Sequence, residues 1–348
     1  MARAVWGKRG VVAVAAFLSW LGAPFTAAAE PRSWLLATLA PEGSPTANMV
    51  NAVASLMARA SGGELRIKRR MGGVLGDELD TLVECQQGRI EVFMGSLGAA
   101  VSLVPELRFL EQPYLFADVA TFQRVMKRLQ DGRHPDLQAL FHRRGLELIG
   151  MAAIGWRNLS SVRRPIRAPA DLQGAKVRAQ PGDLNPQFWR ALGALPKEIA
   201  LTELNSALEI QLVEAFDVPA TFVYATSLDA RIKFYTLTQH ILQIGVWVVN
   251  KQAWDGLPAA RRSRILEGVP QVVARGETEH VRFDEEITAL LPGRGVSILR
   301  PSAAELAAFR AASAPVEAHI RRTGSKAELA LFDRVKAIIA ERPLTRTH

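Results

Sequence analysis

The chain reads as an α/β protein built from two domains, and three observations predict it. Apolar, strand-length runs alternate with helical patterns between Trp34 and Met94, and the same alternation restarts between Lys176 and Asp217. A glycine-poor stretch of helical period, from Ala259 to about Leu290, is long enough to run along both units. Strands separated by helices of this length pair in parallel, because the crossover brings each strand back in the same direction. Ligands of such sheets gather beyond the carboxyl ends of the strands.

Residues 34–39 form a buried strand closed by Pro41-Glu42-Gly43-Ser44-Pro45. Ser44 caps the helix that follows, Pro45 takes its first position, and Met49, Val50, Val53, Leu56 and Met57 share one face. Gly62-Gly63 ends that helix, and 65–68 alternates as a second strand. The glycine-rich segment 71–76 lacks a Gly-Lys-Ser/Thr ending and a Gly-x-Gly-x-x-Gly run, so it is a turn rather than a phosphate cradle. Asp77 opens a helix that ends near Gly88, and 90–94 is a third strand running into Gly95-Ser96. The loops 41–44, 72–77 and 95–98 therefore face one site, which makes Glu42, Ser44 and Asp77 candidates for it.

After a proline-containing stretch, 104–116, helices are expected around 119–129 and 137–144. The apolar run 146–154 leads into Gly155-Trp156-Arg157-Asn158, so Arg157 is placed where a strand opens into a loop over 158–169. Arg178 lies in a short strand, 176–179, stopped by Pro181, which cannot donate to a sheet ladder. A helix carrying Phe188 and Trp189 follows over 184–192, then a strand over 198–201, a helix capped by Thr202 to about Gln211, and a strand over 213–217 stopped by Pro219. The apolar run 244–249 is the chain returning through the first unit; 296–299 is a last strand, and Ser302-Ala303-Ala304-Glu305 is a capping box before the terminal helices. Two guanidiniums emerging from neighbouring strand ends, each a planar fork of donors, form a receptor for a carboxylate or phosphate.

Composition bounds what else the chain can be. Its 348 residues are 49% hydrophobic and 22% charged, ordinary for a globular protein. Residues 1–29 carry a basic head (Arg3, Lys8, Arg9), an apolar run over 11–21 and the small triplet Ala27-Ala28-Ala29, the pattern of an export signal cleaved near Ala29. The mature protein is then expected to be periplasmic and not membrane-spanning. Losing those three basic residues takes the formal charge from +9 to +6, a mildly basic field for an anionic ligand. Basic clusters such as Lys68-Arg69-Arg70 lack interleaved aromatics, which argues against nucleic acid. The single cysteine, Cys85, precludes an internal disulfide and reads as a buried small hydrophobe. No His-Glu-x-x-His, Cys-x-x-Cys or Gly-x-Ser-x-Gly motif occurs, and the six histidines are scattered, so neither an enzyme, a metal site nor a cofactor is expected.

Over essentially the whole mature chain the sequence resembles the DctP-type solute-binding proteins of tripartite ATP-independent periplasmic (TRAP) transporters. The resemblance is carried by Ala37-Thr38-Leu39-Ala40-Pro41-Glu42-Gly43-Ser44-Pro45, by Gly72-Gly73-Val74-Leu75-Gly76-Asp77-Glu78, by Gln112-Pro113-Tyr114-Leu115-Phe116, by Gly155-Trp156-Arg157-Asn158-Leu159, by Asp171-Leu172-Gln173-Gly174-Ala175-Lys176-Val177-Arg178, and by Lys233-Phe234-Tyr235-Thr236-Leu237-Thr238-Gln239-His240 with Val249-Asn250-Lys251 and Trp254. It implies a fold like the type II periplasmic binding proteins, two α/β domains joined by hinge crossovers and bridged by a long helix. Domain I is expected over 30–154 plus 243–282, and domain II over 155–242 plus 283–342. The resemblance further implies that Arg178 pairs with a ligand carboxylate, that Arg157 assists, and that the small and large membrane subunits of a permease receive the ligand.

One segment departs from the family pattern. Where many members carry Val-Asp-Gly-Gln-Glu-Asn-Pro, this chain has Val213-Glu214-Ala215-Phe216-Asp217-Val218-Pro219, and Leu201 stands where a phenylalanine often faces the ligand. Val218 thus replaces a polar ligand contact. A small organic anion with an apolar or aromatic body is expected in place of a sugar acid, whose hydroxyls would lack partners. Trp156 and Phe216 flank matched ligand positions, and Trp247 lies on the returning strand near the expected cleft. A carrier or sensor without its own permease is the alternative within the binding-protein class.

Overall fold

The first alternation forms β1 (Arg32–Ala37), α1 (Pro45–Ala60), β2 (Leu65–Arg70), α2 (Glu78–Gln86) and β3 (Val92–Ser96). These elements belong to a computed structural model that describes residues 32–129 and 134–341, so the expected export segment lies outside the described residues. β1 pairs in parallel with both β2 and β3, as the spacing predicts. α1 begins at its predicted cap: Ser44 Oγ accepts the Ala47 N–H at 3.1 Å and donates to the Pro41 carbonyl at 2.7 Å. Its buried face of Met49, Val50, Val53 and Met57 packs in a cluster with Trp34, Leu36, Trp247 and Trp254.

A short α3 (Leu97–Ala100), a 3-10 turn over Pro105–Glu111, α4 (Val119–Arg128) and α5 (Pro135–His142) lead to β4 (Leu146–Ser161). Here the structure corrects the sequence reading. β4 does not open into a loop at Arg157 but continues to Ser161, because Asn158 to Ser161 pair with one neighbouring strand through Val218 to Ala215 and Leu159 to Ser161 pair with another through Thr236 to Phe234. Asn158, Ser160 and Ser161 are buried polar residues in that ladder, and their polarity had made the segment resemble a loop.

The second unit comprises β5 (Lys176–Ala179), α6 (Leu184–Ala191), β6 (Leu195–Glu198), α7 (Leu204–Glu209), β7 (Ala215–Val218) and α8 (Ala220–Ala225). β5 matches its expected bounds, but the next strand lies three residues earlier than predicted, since its register pairs Lys176 with Leu195. Thr202 caps nothing: it lies inside a 3-10 turn, Leu201–Glu203, and α7 starts after it without a side-chain cap. The return strand β8 (Phe234–Asn250) is 17 residues long, extending well before the apolar run that announced it. After α9 (Lys251–Asp255) come α10 (Ala259–Leu290), β9 (Ser297–Leu299), α11 (Ala303–Thr323) and α12 (Lys326–Ala340), with the Ser302–Glu305 capping box in place.

All nine strands join one mixed sheet in the order β2-β1-β3-β8-β4-β7-β5-β6, with β9 on β8. The parallel pairs stay within the two alternating units and along β8–β9, while β3–β8, β4–β8 and β4–β7 are antiparallel. One apolar cluster lies on the β1–β3 side and a second around α7, α8 and Phe216, while a third reaches across the sheet from Phe93 to Trp189.

The long strands are irregular where they cross. Register shifts between Ala153 and Trp156 leave Ile154 and Gly155 of β4 facing Gln243 of β8 outside the regular ladder. Gly155 has φ +109°, and a Cβ there would lie 3.0 Å from Pro219 Cβ, so only glycine fits this bend without strain. α10 covers it. Glu277 accepts the Ala153 N–H at 2.9 Å and Asp284, two helical turns on, accepts those of Trp156 and Thr221 at 3.4 and 3.3 Å. No described helix is long and apolar enough to cross a membrane.

Because Ser44 satisfies both an orphan helix N–H and a loop carbonyl, Ser44→Ala is expected to cost about 1 kcal/mol of stability, read from urea unfolding, with the slope of the transition unchanged.

Candidate functional site

β5 places its residues by strand alternation. Val177 and Ala179 enter the apolar cluster, so Arg178 between them points to the other face, where it lines a cavity of about 300 Å³. The Arg178 side chain is buried at 3% exposure, yet it makes a single hydrogen bond, from Nε to the Ile199 carbonyl at 2.8 Å. Among the described residues, Nη1 and Nη2 meet no acceptor. Burial, followed by the neighbouring charge of Arg157, lowers its pKa to about 10, which leaves it a cation at neutral pH. A desolvated guanidinium with an unused fork is costly on its own and well suited to a carboxylate.

Arg157 is the opposite case. From β4 it donates Nε to Asp217 Oδ2 at 2.7 Å and Nη2 to Asp217 Oδ1 at 2.8 Å and to the Asp217 carbonyl at 2.9 Å. Nη1 donates to the Oε1 atoms of both Gln180 and Gln243, the latter at 2.9 Å. All five N–H groups of the guanidinium are therefore committed to the protein. Asp217, fully buried on β7, also accepts from Asn185 Nδ2 at 3.2 Å and from His240 Nε2 at 3.1 Å. Burial alone would raise its pKa; the Arg157 charge and the His240 hydrogen bond override that and hold the carboxyl well below the usual range. Burial lowers the pKa of His240, so the ring is neutral, with Nε2–H on Asp217 and Nδ1 accepting from Thr238 Oγ1 at 2.8 Å. Phe188 stacks on it at 4.7 Å.

The cavity brings together five of the residues singled out in the sequence: Arg178, Arg157, Asp77, Leu201 and Val218. The others lie elsewhere, each for a visible reason. Trp247 and Phe216 are core side chains in clusters on either side of the site. Asp217 stands behind Arg157 rather than in the cavity. Trp156 borders a separate groove beneath α10. Ser44 is spent on its helix cap, and Glu42 is exposed in the preceding turn.

Sequence reasoning missed Glu78, Ile154, Gln180 and Gln243, all of which line the cavity. Two of them left a signal. Gln180 follows Arg178 by two positions, the spacing of one strand face, and Gln243 is a lone polar residue within the apolar run 241–249. Gln180 also explains Gly98: its amide occupies the place where a Cβ would stand, 1.3 Å from Nε2.

The wall opposite β5 is acidic. Asp77 precedes α2, and Glu78 accepts the Ser96 N–H at 2.9 Å together with the Ser96 hydroxyl, which ties α2 to the end of β3. Burial raises the Glu78 pKa and pushes that of the nearby Glu111 up to about 7. At the rim, Arg108 pairs with Asp183 and donates to Glu328 at 2.8 Å, while His319 meets the same aspartate at 3.0 Å. A Cβ at Gly73 would lie 3.6 Å from Thr202 Cγ2, so the loops that follow β2 and β6 approach each other.

The family model described as bacterial extracellular solute-binding protein, family 7 (DctP) matches residues 36–323. A solute-binding protein of Verminephrobacter eiseniae is 26% identical over 281 residues, covering 80% of this chain and 82% of that one. The 2,3-diketo-L-gulonate-binding periplasmic protein YiaO of Escherichia coli is 29% identical over 203 residues, 58% of this chain and 61% of that protein. A TRAP periplasmic solute-binding protein from Roseobacter denitrificans, solved with bound β-D-glucuronate, superposes with a TM-score of 0.80 at 25% identity over 89% of this chain and all of that one.

Two carboxyls with raised pKa values set a pH dependence. Glu111 titrates near 7 and Asp284 near 6, both raised chiefly by burial, so between the ordinary carboxyl range and about pH 7 the folded protein holds more protons than the unfolded chain. These two carboxyls therefore add stability as pH falls through that window, while burial lowers the pKa values of His240 and His280 and works against them there; the depressed Asp217 opposes them only below about pH 4. The Glu111 share is read as a difference: on acidification from about pH 7 to about pH 5, the urea midpoint of the wild type is expected to gain on that of Glu111→Gln, the histidine contribution being common to both.

Proposed function

The chain belongs to the DctP family of bacterial extracellular solute-binding proteins, family 7, the solute receptors of TRAP transporters, and from this membership we propose that it captures a small organic carboxylate by closure of two domains and delivers it to a TRAP permease. The observation that carries this reading is the free fork of Arg178, buried at the wall of the cavity. Relatives bind ligands of matching chemistry: the Roseobacter protein holds β-D-glucuronate and the Escherichia coli one is a 2,3-diketo-L-gulonate-binding protein. Both ligands carry one carboxylate. The second arginine of the family pattern serves differently in this reading, holding the cavity wall through Asp217 while Arg178 alone receives the anion.

The domains of the mechanism are residues 30–154 with 243–282 and residues 155–242 with 283–342, and they close about the bend at Gly155 and Gln243 under α10. Closure buries the ligand between the acidic α2 wall and β5, with the Arg108–Asp183 pair at the rim. A ligand that touches both halves favours the closed state by its extra contacts there. Energetics divide the work. Charge-assisted hydrogen bonds contribute about 1.5–3 kcal/mol each, whereas micromolar affinity needs about 8 kcal/mol. Apolar burial against Ile154, Val101, Leu201, Val218 and Phe222 supplies the remainder at about 25 cal/mol per Å², which favours a ligand with an apolar body. The protein acts outside the cytoplasmic membrane after export, binding its ligand without altering it, and the permease subunits complete transport.

Arg178→Ala is expected to weaken carboxylate binding by about 100-fold or more in calorimetric titration, because it deletes one partner of a desolvated charge pair. The unliganded variant should melt no lower than the wild type, since Arg178 gives the empty fold one hydrogen bond and a buried charge. A neutral compound as the tightest ligand, or an Arg178→Ala protein that binds as wild type does, would refute the reading.

A further inference from the structure

Arg157 does more than hold Asp217; it fixes the hydrogen-bonding sense of the cavity floor. A guanidinium can only donate, so the side-chain atoms of Gln180 and Gln243 that face Nη1 must be their carbonyl oxygens. Each amide is thereby locked with its NH₂ group turned away from Arg157, and both residues line the cavity. Neither NH₂ group has a hydrogen-bond partner among the described residues. Gln180 shares a strand face with Arg178 two residues before it, and Gln243 sits at the irregular crossing of β8 and β4 beside Ile154. The floor thus presents donors alone: the Nη groups of Arg178 and two oriented amides.

We propose that the preferred ligands are monocarboxylates bearing an uncharged oxygen acceptor, a carbonyl above all, on the carbon next to the carboxyl group, with Gln180 and Gln243 as the specificity-determining residues. This rests on the carboxylate reading of Arg178 and narrows it. The carboxylate takes the Arg178 fork, and the adjacent carbonyl oxygen takes an amide N–H that an unsubstituted acid would leave unpaired. A 2-amino acid is disfavoured, because its ammonium would face donors. A dicarboxylate is disfavoured because its second anion would meet the wall of Asp77 and Glu78. The locked amides explain why a chain of this family can discriminate at the carboxyl end although Val218 removes a polar contact further along the cavity.

The test is calorimetric titration of three matched series with isopropyl, isobutyl and benzyl bodies, each comprising the 2-oxo acid, the unsubstituted acid and the 2-amino acid. Wild-type protein should bind the 2-oxo acid at least about fivefold tighter than its unsubstituted partner, and the amino acid weakest, in whichever body binds best. Gln243→Glu keeps an oxygen for Arg157 and turns the other amide position into an acceptor, so the 2-oxo preference should vanish and the amino acid should gain. The ratio within a series cancels any uniform change in affinity or folding. Equal binding of the 2-oxo and unsubstituted acids, an unchanged ratio in Gln243→Glu, or no binding across the set would overturn the proposal. Arg178→Ala, run on the same series, separates the two claims: if it abolishes binding while the ratios are flat, the carboxylate reading stands and this one falls.

Discussion

Arg157 of β4 and Asp217 of β7 carry two full charges out of water, and the layout of the cavity follows from how those charges are satisfied. Such a pair is weak evidence for stability, since desolvation can cancel the attraction. What it fixes is arrangement. Asp217 is held by Arg157, Asn185 and His240, which ties β4, α6, β7 and β8 to one atom group. Arg157 spends its remaining donors on two cavity-lining glutamines, and in doing so sets which of their atoms turn away from it. Among the described residues, Arg178 is left as the buried cation of the cavity whose fork has no protein partner.

The bend between Ala153 and Trp156 adds the second constraint. A regular ladder through this crossing would turn Ile154 and Gln243 into ordinary sheet residues; the register shift frees both to line the cavity. The freed backbone N–H groups are taken by Glu277 and Asp284 of α10, so the long helix closes the accounts of the crossing strands as well as spanning them. Binding geometry and bending geometry therefore share the same few residues. Replacing Gly155 would disturb both at once.

Much of this was legible in the sequence where local chemistry decides structure. The cap at Ser44, the full span of α10, the bounds of β5 and the capping box at Ser302 follow from side-chain type and period, and the structure repeats them. Arg178 was legible because a charged residue between Val177 and Ala179 in a short strand must face away from the core. The failures share a different cause. Residues 158–161 look like a loop because their partners, β7 and the start of β8, lie far along the chain, beyond any local signal. Phe216 and Trp247 were placed near a ligand by their neighbours in sequence, but strand alternation and the bend turn them into the cores. Gln180 and Gln243 escaped notice because glutamine is common on surfaces, and only Arg157 between them makes their orientation meaningful.

The division of labour between the two arginines is the central claim, and a crystal structure of the protein with a bound monocarboxylate tests it most directly. The carboxylate oxygens should lie within about 3 Å of Arg178 Nη1 and Nη2, while Arg157 remains bidentate on Asp217 with both glutamine carbonyls still on its Nη1. A carboxylate seated on Arg157, with Asp217 or the glutamines displaced, would contradict it.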